Sequence, residues 1–183
     1  MNASSRATMD TVGIGRRRFL QLGVLGGGAS LLAFPAVAGA KNHVPVLLLS
    51  CMDYRLIQAT ERYMDGRKLR RKYDHVILAG ASLGAITEKF PAWNKTFWEH
   101  LDVAIELHGV SKVIVLDHRK CGAYDEILGP ECCKDPAEET AVHTKKLQEL
   151  RKQIKDHQFK GKPAGLGVEL LLMSLNGKVE KIK

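Results

Sequence analysis

Lys112-Val113-Ile114-Val115-Leu116-Asp117-His118-Arg119-Lys120-Cys121-Gly122 joins an uninterrupted apolar run directly to a cluster of reactive side chains. The run shows no polar alternation, so it describes a strand buried on both faces, as in a parallel sheet covered by helices. Two runs of the same kind lie upstream, Val44 to Ser50, broken only by Pro45, and Val76 to Ala79. Between the second and the third, Phe97, Leu101, Ala104, Ile105 and His108 fall on one helical face, and Gly109 supplies a C-terminal stop. The outcome is a strand-helix-strand unit.

Downstream, Asp135-Pro136-Ala137-Glu138 places a capping carboxylate, a proline at the first helical position and a capping-box glutamate in order. Leu147, Leu150 and Ile154 form the stripe of the helix that follows. Leu166 to Leu175 reads as a further strand, and Asn176-Gly177 as a hairpin turn into Lys178 to Ile182. The pattern predicts an α/β fold, with a mainly parallel sheet flanked by helices and a C-terminal hairpin. In such folds ligands bind beyond the C-terminal ends of the strands. The first strand ends in Ser50-Cys51-Met52-Asp53-Tyr54-Arg55 and the third in Asp117-His118-Arg119-Lys120-Cys121-Gly122, so both reactive clusters are expected at one edge.

His118 and Cys121 are spaced so that two side chains of one tight turn reach a single ion, and Cys51 can close the site from the neighbouring strand. Two thiolates and an imidazole select zinc over magnesium or calcium. Three protein ligands leave a fourth position open, the arrangement of a catalytic site, where zinc makes hydroxide from water near neutral pH and the hydroxide attacks electrophilic carbon. Taken singly the residues say little. A lone Cys at a strand end is usually a small buried apolar group, a lone Asp-x-Arg a surface ion pair, and a lone His a core residue bonded to a carbonyl. Their coincidence at adjacent strand ends is what points to metal.

Cys51-x-Asp53-x-Arg55 followed by His118-x-x-Cys121-Gly122 resembles the pattern of β-class carbonic anhydrases. Thr96 to Tyr124 and Gly167 to Lys178 resemble that family further. The resemblance implies a zinc (Zn2+) enzyme that hydrates carbon dioxide reversibly to bicarbonate. It implies Asp53 and Arg55 as the catalytic dyad, with Arg55 holding the Asp53 carboxylate off the metal so that it accepts a hydrogen bond from bound water. It also implies a homodimer or a larger even assembly. Departures stand beside these matches: Ile77-Leu78-Ala79-Gly80 occupies the place of the family's Arg-Asn-Ala-Gly, Asp117 that of a glycine before the ligand histidine, and Arg119 and Lys120 fill the interval to Cys121. A pocket shifted in this way suits a second class of small linear electrophile, carbonyl sulfide or carbon disulfide.

The first 40 residues stand outside this scheme. Gly15-Arg16-Arg17-Arg18-Phe19-Leu20 puts a twin-arginine pair before the mildly apolar run Phe19 to Ala38, and Ala36-Val37-Ala38-Gly39-Ala40 offers cleavage after Ala38 or Ala40. The segment resembles a bacterial Tat export signal; the reading is a cleaved peptide, no lasting membrane insertion, and a mature domain over residues 41–183 in the periplasm or otherwise exported. Removing four arginines and one aspartate takes the formal charge from +8 to +5. Much of the excess lies in Arg62, Arg67, Lys68, Arg70, Arg71 and Lys72, which lack interleaved aromatics or a recognition-helix pattern and so predict a solvated surface and no nucleic-acid partner.

Four cysteines in an oxidising compartment would ordinarily make two disulfides. Here two are read as ligands, leaving the adjacent Cys132 and Cys133, for which two free thiols and a disulfide to another chain are both open. They keep a different class in view, a non-catalytic zinc or redox module on the same fold. A nucleotide-binding domain is a third class, resting on Ala79-Gly80-Ala81-Ser82-Leu83-Gly84, which reads more simply as a turn at a strand end. His43, His75, His108, His143 and His157 are assigned to the surface or to helix stripes.

Overall fold

The computed structural model describes residues 43–159 and 165–183, so the export signal read in residues 1–40 lies outside the described residues. Five strands and the helices between them run in the order β1 (Val46–Ser50), α1 (Ile57–Gly66), β2 (Tyr73–Ile77), α2 (Ser82–Ile86), α3 (Pro91–Val103), β3 (Lys112–His118), α4 (Gly122–Leu128), α5 (Pro136–Asp156), β4 (Gly167–Met173) and β5 (Val179–Ile182). The sheet order is β2-β1-β3-β4-β5. The first four strands are parallel, and β5 pairs antiparallel with β4 through the Asn176-Gly177 turn.

The apolar runs become central strands because both of their faces are covered. Leu47, Leu49, Val113, Val115, Leu170 and Leu172 pack with α3 and α5 on one face, and Val46, Leu48, Ile114, Leu116, Leu171 and Met173 pack with Leu56 and Met64 on the other. Leu147, Leu150 and Ile154 are fully buried, as the stripe of α5 requires, and the Asp135 carboxylate accepts from the Ala137 and Glu138 amides at its start. Burial of this apolar surface is the main stabilising contribution, at about 25 cal/mol per Å² removed from water.

Three readings need correction. The second strand begins at Tyr73, and as the sheet edge it is not buried on both faces: His75 and Ile77 are exposed and only Val76 is buried. The helical stripe ending at His108 does not hold its phase, because a π turn over Ala104–His108 widens the last winding. Ala104 and Ile105 stay in the core while His108 swings out to meet the Asp74 carboxylate at 2.7 Å. The glycine-bearing segment is more than a turn, since Ser82–Ile86 forms a short helix buried at every residue. Gly84 is required there: a Cβ would lie 2.3 Å from the Ala79 carbonyl oxygen.

The chain leaves β1 for β2 on one side and returns to β3 on the other, so the strand order reverses between β1 and β3. That switch point opens a crevice beyond the strand ends. Cys51 follows β1 there and His118 closes β3. Among the described residues no helix is long and apolar enough to cross a membrane.

Candidate metal centre

Cys51, His118 and Cys121 converge in that crevice, with one donor atom of each within 4.8 Å of the others. Their sulfurs are 3.8 Å apart. Two thiolates on one tetrahedral ion at bonds of about 2.3 Å would be separated by about 3.8 Å, so the pair already has the spacing of a zinc dithiolate. His118 Nδ1–H donates to the Arg119 carbonyl at 2.9 Å, which leaves Nε2 as the bare acceptor, and that Nε2 is buried without a partner. An orphaned imidazole nitrogen facing two thiols is costly unless a cation takes it. The donor set therefore fits zinc.

The hydrogen bond from the Cys121 thiol to Cys51, aided by the Gly80 amide 3.4 Å from the sulfur, outweighs burial and draws Cys51 down to about 4. The same bond, with burial, pushes Cys121 above the thiol range. Asp53 stands beside the donors, Oδ2 being 3.7 Å from His118 Nε2. Arg55 holds that carboxylate by both oxygens, Nε to Oδ1 at 2.9 Å and Nη2 to Oδ2 at 2.6 Å, and this hydrogen bonding lowers Asp53 to about 2. Arg55 also donates to the Lys120 carbonyl at 2.9 Å, tying the segment after β1 to the turn after β3.

The His-x-x-Cys turn has its own support. Lys120 sits at φ +56°, a left-handed conformation that a non-glycine residue adopts only when its surroundings hold it there. Its carbonyl is held by Arg55, and its amide donates to Glu139 Oε1 at 2.6 Å. Arg119 turns outward between Glu139 and Glu180, so its charge is taken up by neighbouring carboxylates. Beneath the turn, Asp117 is 1% exposed and accepts four hydrogen bonds: from the Ser82 amide at 2.9 Å, the Ser82 hydroxyl at 2.6 Å, the Tyr124 hydroxyl at 2.6 Å and His143 Nδ1 at 3.0 Å. A buried carboxylate is stable only with its lone pairs filled in this way. It joins α2, β3, α4 and α5 directly behind the ligands.

The structure thus brings together all five residues singled out in the sequence: Cys51, Asp53, Arg55, His118 and Cys121. Of the two places read for His143, surface or helix stripe, it takes the stripe of α5, fully buried against the Tyr124 ring with centroids 3.9 Å apart. Sequence reasoning missed Glu139 and the Asp117 network. The signal was there: Leu147, Leu150 and Ile154 continue backwards at helical spacing to His143 and Glu139, both buried. Among the remaining histidines, His75 is exposed on β2 with Nε2 2.7 Å from the Ser50 hydroxyl, His43 lies against the His108 carbonyl, and His157 stacks on Trp98.

A second small cluster surrounds this support. Leu83, Cys121 and Tyr124 pack with Ala123, Ile127, Val142, Cys132 and Cys133. All four cysteines are free thiols, and Cys132 Sγ and Cys133 Sγ are 2.9 Å apart.

A family model described as "Putative carbonic anhydrase" matches residues 41–182. An uncharacterised protein of Rickettsia bellii is 38% identical over 141 residues, 77% of this chain and 83% of that one. A second, from Rickettsia conorii, is 39% identical over 141 residues, 77% of this chain and 73% of its own length. Among solved structures, a carbonic anhydrase from Streptococcus mutans superposes with a TM-score of 0.52 at 16% identity, covering 78% of this chain and 84% of that one.

Proposed function

The chain belongs to this carbonic anhydrase-like family, and on that premise we infer that it hydrates carbon dioxide reversibly to bicarbonate with zinc held by Cys51, His118 and Cys121. The observation that carries the reading is the convergence of three donor atoms within 4.8 Å, one of them a buried imidazole nitrogen with no partner. Zinc, when bound, supplies the Lewis acidity that makes water a nucleophile near neutral pH. The chain supplies position. Asp53, kept ionised by Arg55, presents a carboxylate oxygen beside the donors, where it accepts a hydrogen bond from the attacking water and turns its lone pair toward the substrate carbon. Arg55 engages both carboxylate oxygens and so keeps Asp53 from closing the site itself.

A second reading, hydrolysis of carbonyl sulfide or carbon disulfide, is favoured by a cavity of about 230 Å³ next to Cys51. Met52, Ile57 and Ile77 line it, and Ile77 stands where the sequence resemblance leads one to expect arginine. Exposed Met52, Tyr54, Ile57 and Ile77 near the sheet edge support assembly as a homodimer or larger even oligomer, and the segment 1–40 supports export to the periplasm.

Stopped-flow hydration of carbon dioxide, with zinc determined on the same sample, tests the proposal. Turnover should fall about 100-fold in Asp53→Asn while zinc is retained, the loss expected when a positioned proton acceptor is removed. Unchanged turnover in that variant would sink the anhydrase reading, and zinc without hydration but with carbonyl sulfide turnover would establish the second.

A further inference from the structure

We propose that Cys132 and Cys133 form a redox-modification site, a vicinal dithiol that closes reversibly to an intrachain disulfide by exchange with a low-molecular-weight disulfide. The two sulfurs lie 2.9 Å apart, inside van der Waals contact, and both residues are half-buried. That spacing is well short of the 3.8 Å between the ligand sulfurs Cys51 and Cys121, so the pair is not set for a tetrahedral ion. It is the spacing of two thiols one step from bonding. The turn that carries them is anchored by the Cys132 amide on the Gly129 carbonyl at 3.2 Å, and both residues pack against the apolar cluster of Leu83, Cys121 and Tyr124. Neighbouring chain therefore keeps the sulfurs together.

The exchange balances in two steps. A Cys132 thiolate attacks one sulfur of the disulfide, forming a mixed disulfide and releasing one thiolate. Cys133 then loses its proton, attacks the Cys132 sulfur and expels the second thiol. Two protein thiols and one disulfide become one protein disulfide and two thiols. The order follows from the environment of Cys133, whose thiol is pushed up to about 12 by burial and by the adjacent Cys132, with the Glu139 and Asp125 carboxylates adding. Reversibility follows from covalent geometry. Adjacent Cα atoms are about 3.8 Å apart, below the 4.4 Å lower end of the usual disulfide range, so the closed bond is strained and readily reduced. Strained disulfides are the labile ones.

The test is a redox titration of the purified zinc-loaded full chain in mixtures of oxidised and reduced glutathione, quenched with iodoacetamide. Peptide mass spectrometry, non-reducing electrophoresis and zinc release to a chromogenic chelator are read on the same samples. The expected result is a peptide carrying Cys132 and Cys133 that loses the mass of two hydrogens, no persistent glutathione adduct, no linked dimer, full zinc retention, and reversal when reduced glutathione is restored. Cys133→Ser should stall as a glutathione adduct on Cys132, whereas Cys132→Ser, left with the protonated Cys133 thiol, should form its adduct more slowly. A lasting adduct on the unsubstituted chain, a disulfide-linked dimer, or oxidation confined to Cys51 and Cys121 with zinc release would overturn the proposal. The unsubstituted chain decides the matter even if neither variant folds.

Discussion

Two pairs of thiols sit on the same small cluster around Tyr124, and they are held in opposite ways. Cys51 and Cys121 are 70 residues apart in sequence, brought from two strand ends to a sulfur separation of 3.8 Å. Cys132 and Cys133 are neighbours, at 2.9 Å. The first pair rests on directional support: the Gly80 amide on Cys51, the doubly held Lys120 before Cys121, and the Asp117 carboxylate behind both. The second has an anchored turn and apolar contacts. Two sulfurs set at the spacing of a dithiolate site need a directional frame to hold them apart, whereas two sulfurs in contact need only to be kept together.

The sharpest way to break this comparison is to remove one sulfur from each side. Cys121→Ser should bind no zinc and lose turnover to background, while Cys132→Ser should keep one zinc per chain and its hydration rate. Metal analysis after gel filtration reads the first quantity and stopped-flow the second. If Cys132→Ser loses zinc, the two pairs are one site and the contrast fails.

The next largest effect belongs to the frame. Asp117→Ala leaves the Ser82 amide and His143 Nδ1 buried without their acceptor, and leaves the Ser82 and Tyr124 hydroxyls only each other, at 3.0 Å. Losing a charged acceptor shared by several buried donors costs about 4 kcal/mol, measurable as a lower urea midpoint of the metal-free chain. Zinc affinity should fall about 10- to 100-fold with it, as when groups that orient metal ligands are removed. The Cys132-Cys133 exchange should proceed at its normal equilibrium in any folded fraction. A variant with weakened zinc binding but unchanged stability would mean that Asp117 acts on the metal by charge alone.

What could be read from the sequence divides along the same line. The parallel strands, the cap at Asp135 and the convergence of Cys51, His118 and Cys121 were legible because each depends on local pattern: apolar runs without alternation, a capping carboxylate before proline, donors at strand ends. The edge position of β2 was not, because an apolar run of four is the same string whether one neighbour covers it or two. The π turn before Gly109 was hidden because its shift of phase appears only when Ala104 and Ile105 must both stay in the core. Asp117 was visible only as a departure from a resemblance. Its meaning required three partners, Ser82, Tyr124 and His143, from three separate helices, a coincidence that no window of sequence contains.

The smallest effect sharpens the comparison inside the second pair. Burial and the neighbouring Cys132 hold Cys133 near 12, so its thiol stays protonated through neutral pH and becomes nucleophilic only as the pH climbs toward that value. Alkylation requires the thiolate. One equivalent of iodoacetamide at pH 7 should therefore label Cys132 ahead of Cys133, and the share on Cys133 should rise as the pH is taken to 9. Zinc content and the urea midpoint should not move, because neither sulfur holds the metal or fills a directional bond in the frame. Peptide mass spectrometry gives the two labels separately. Equal labelling at pH 7 would mean that Cys133 is as available as its neighbour, and the order of attack in the proposed exchange would then have to be reversed or shared.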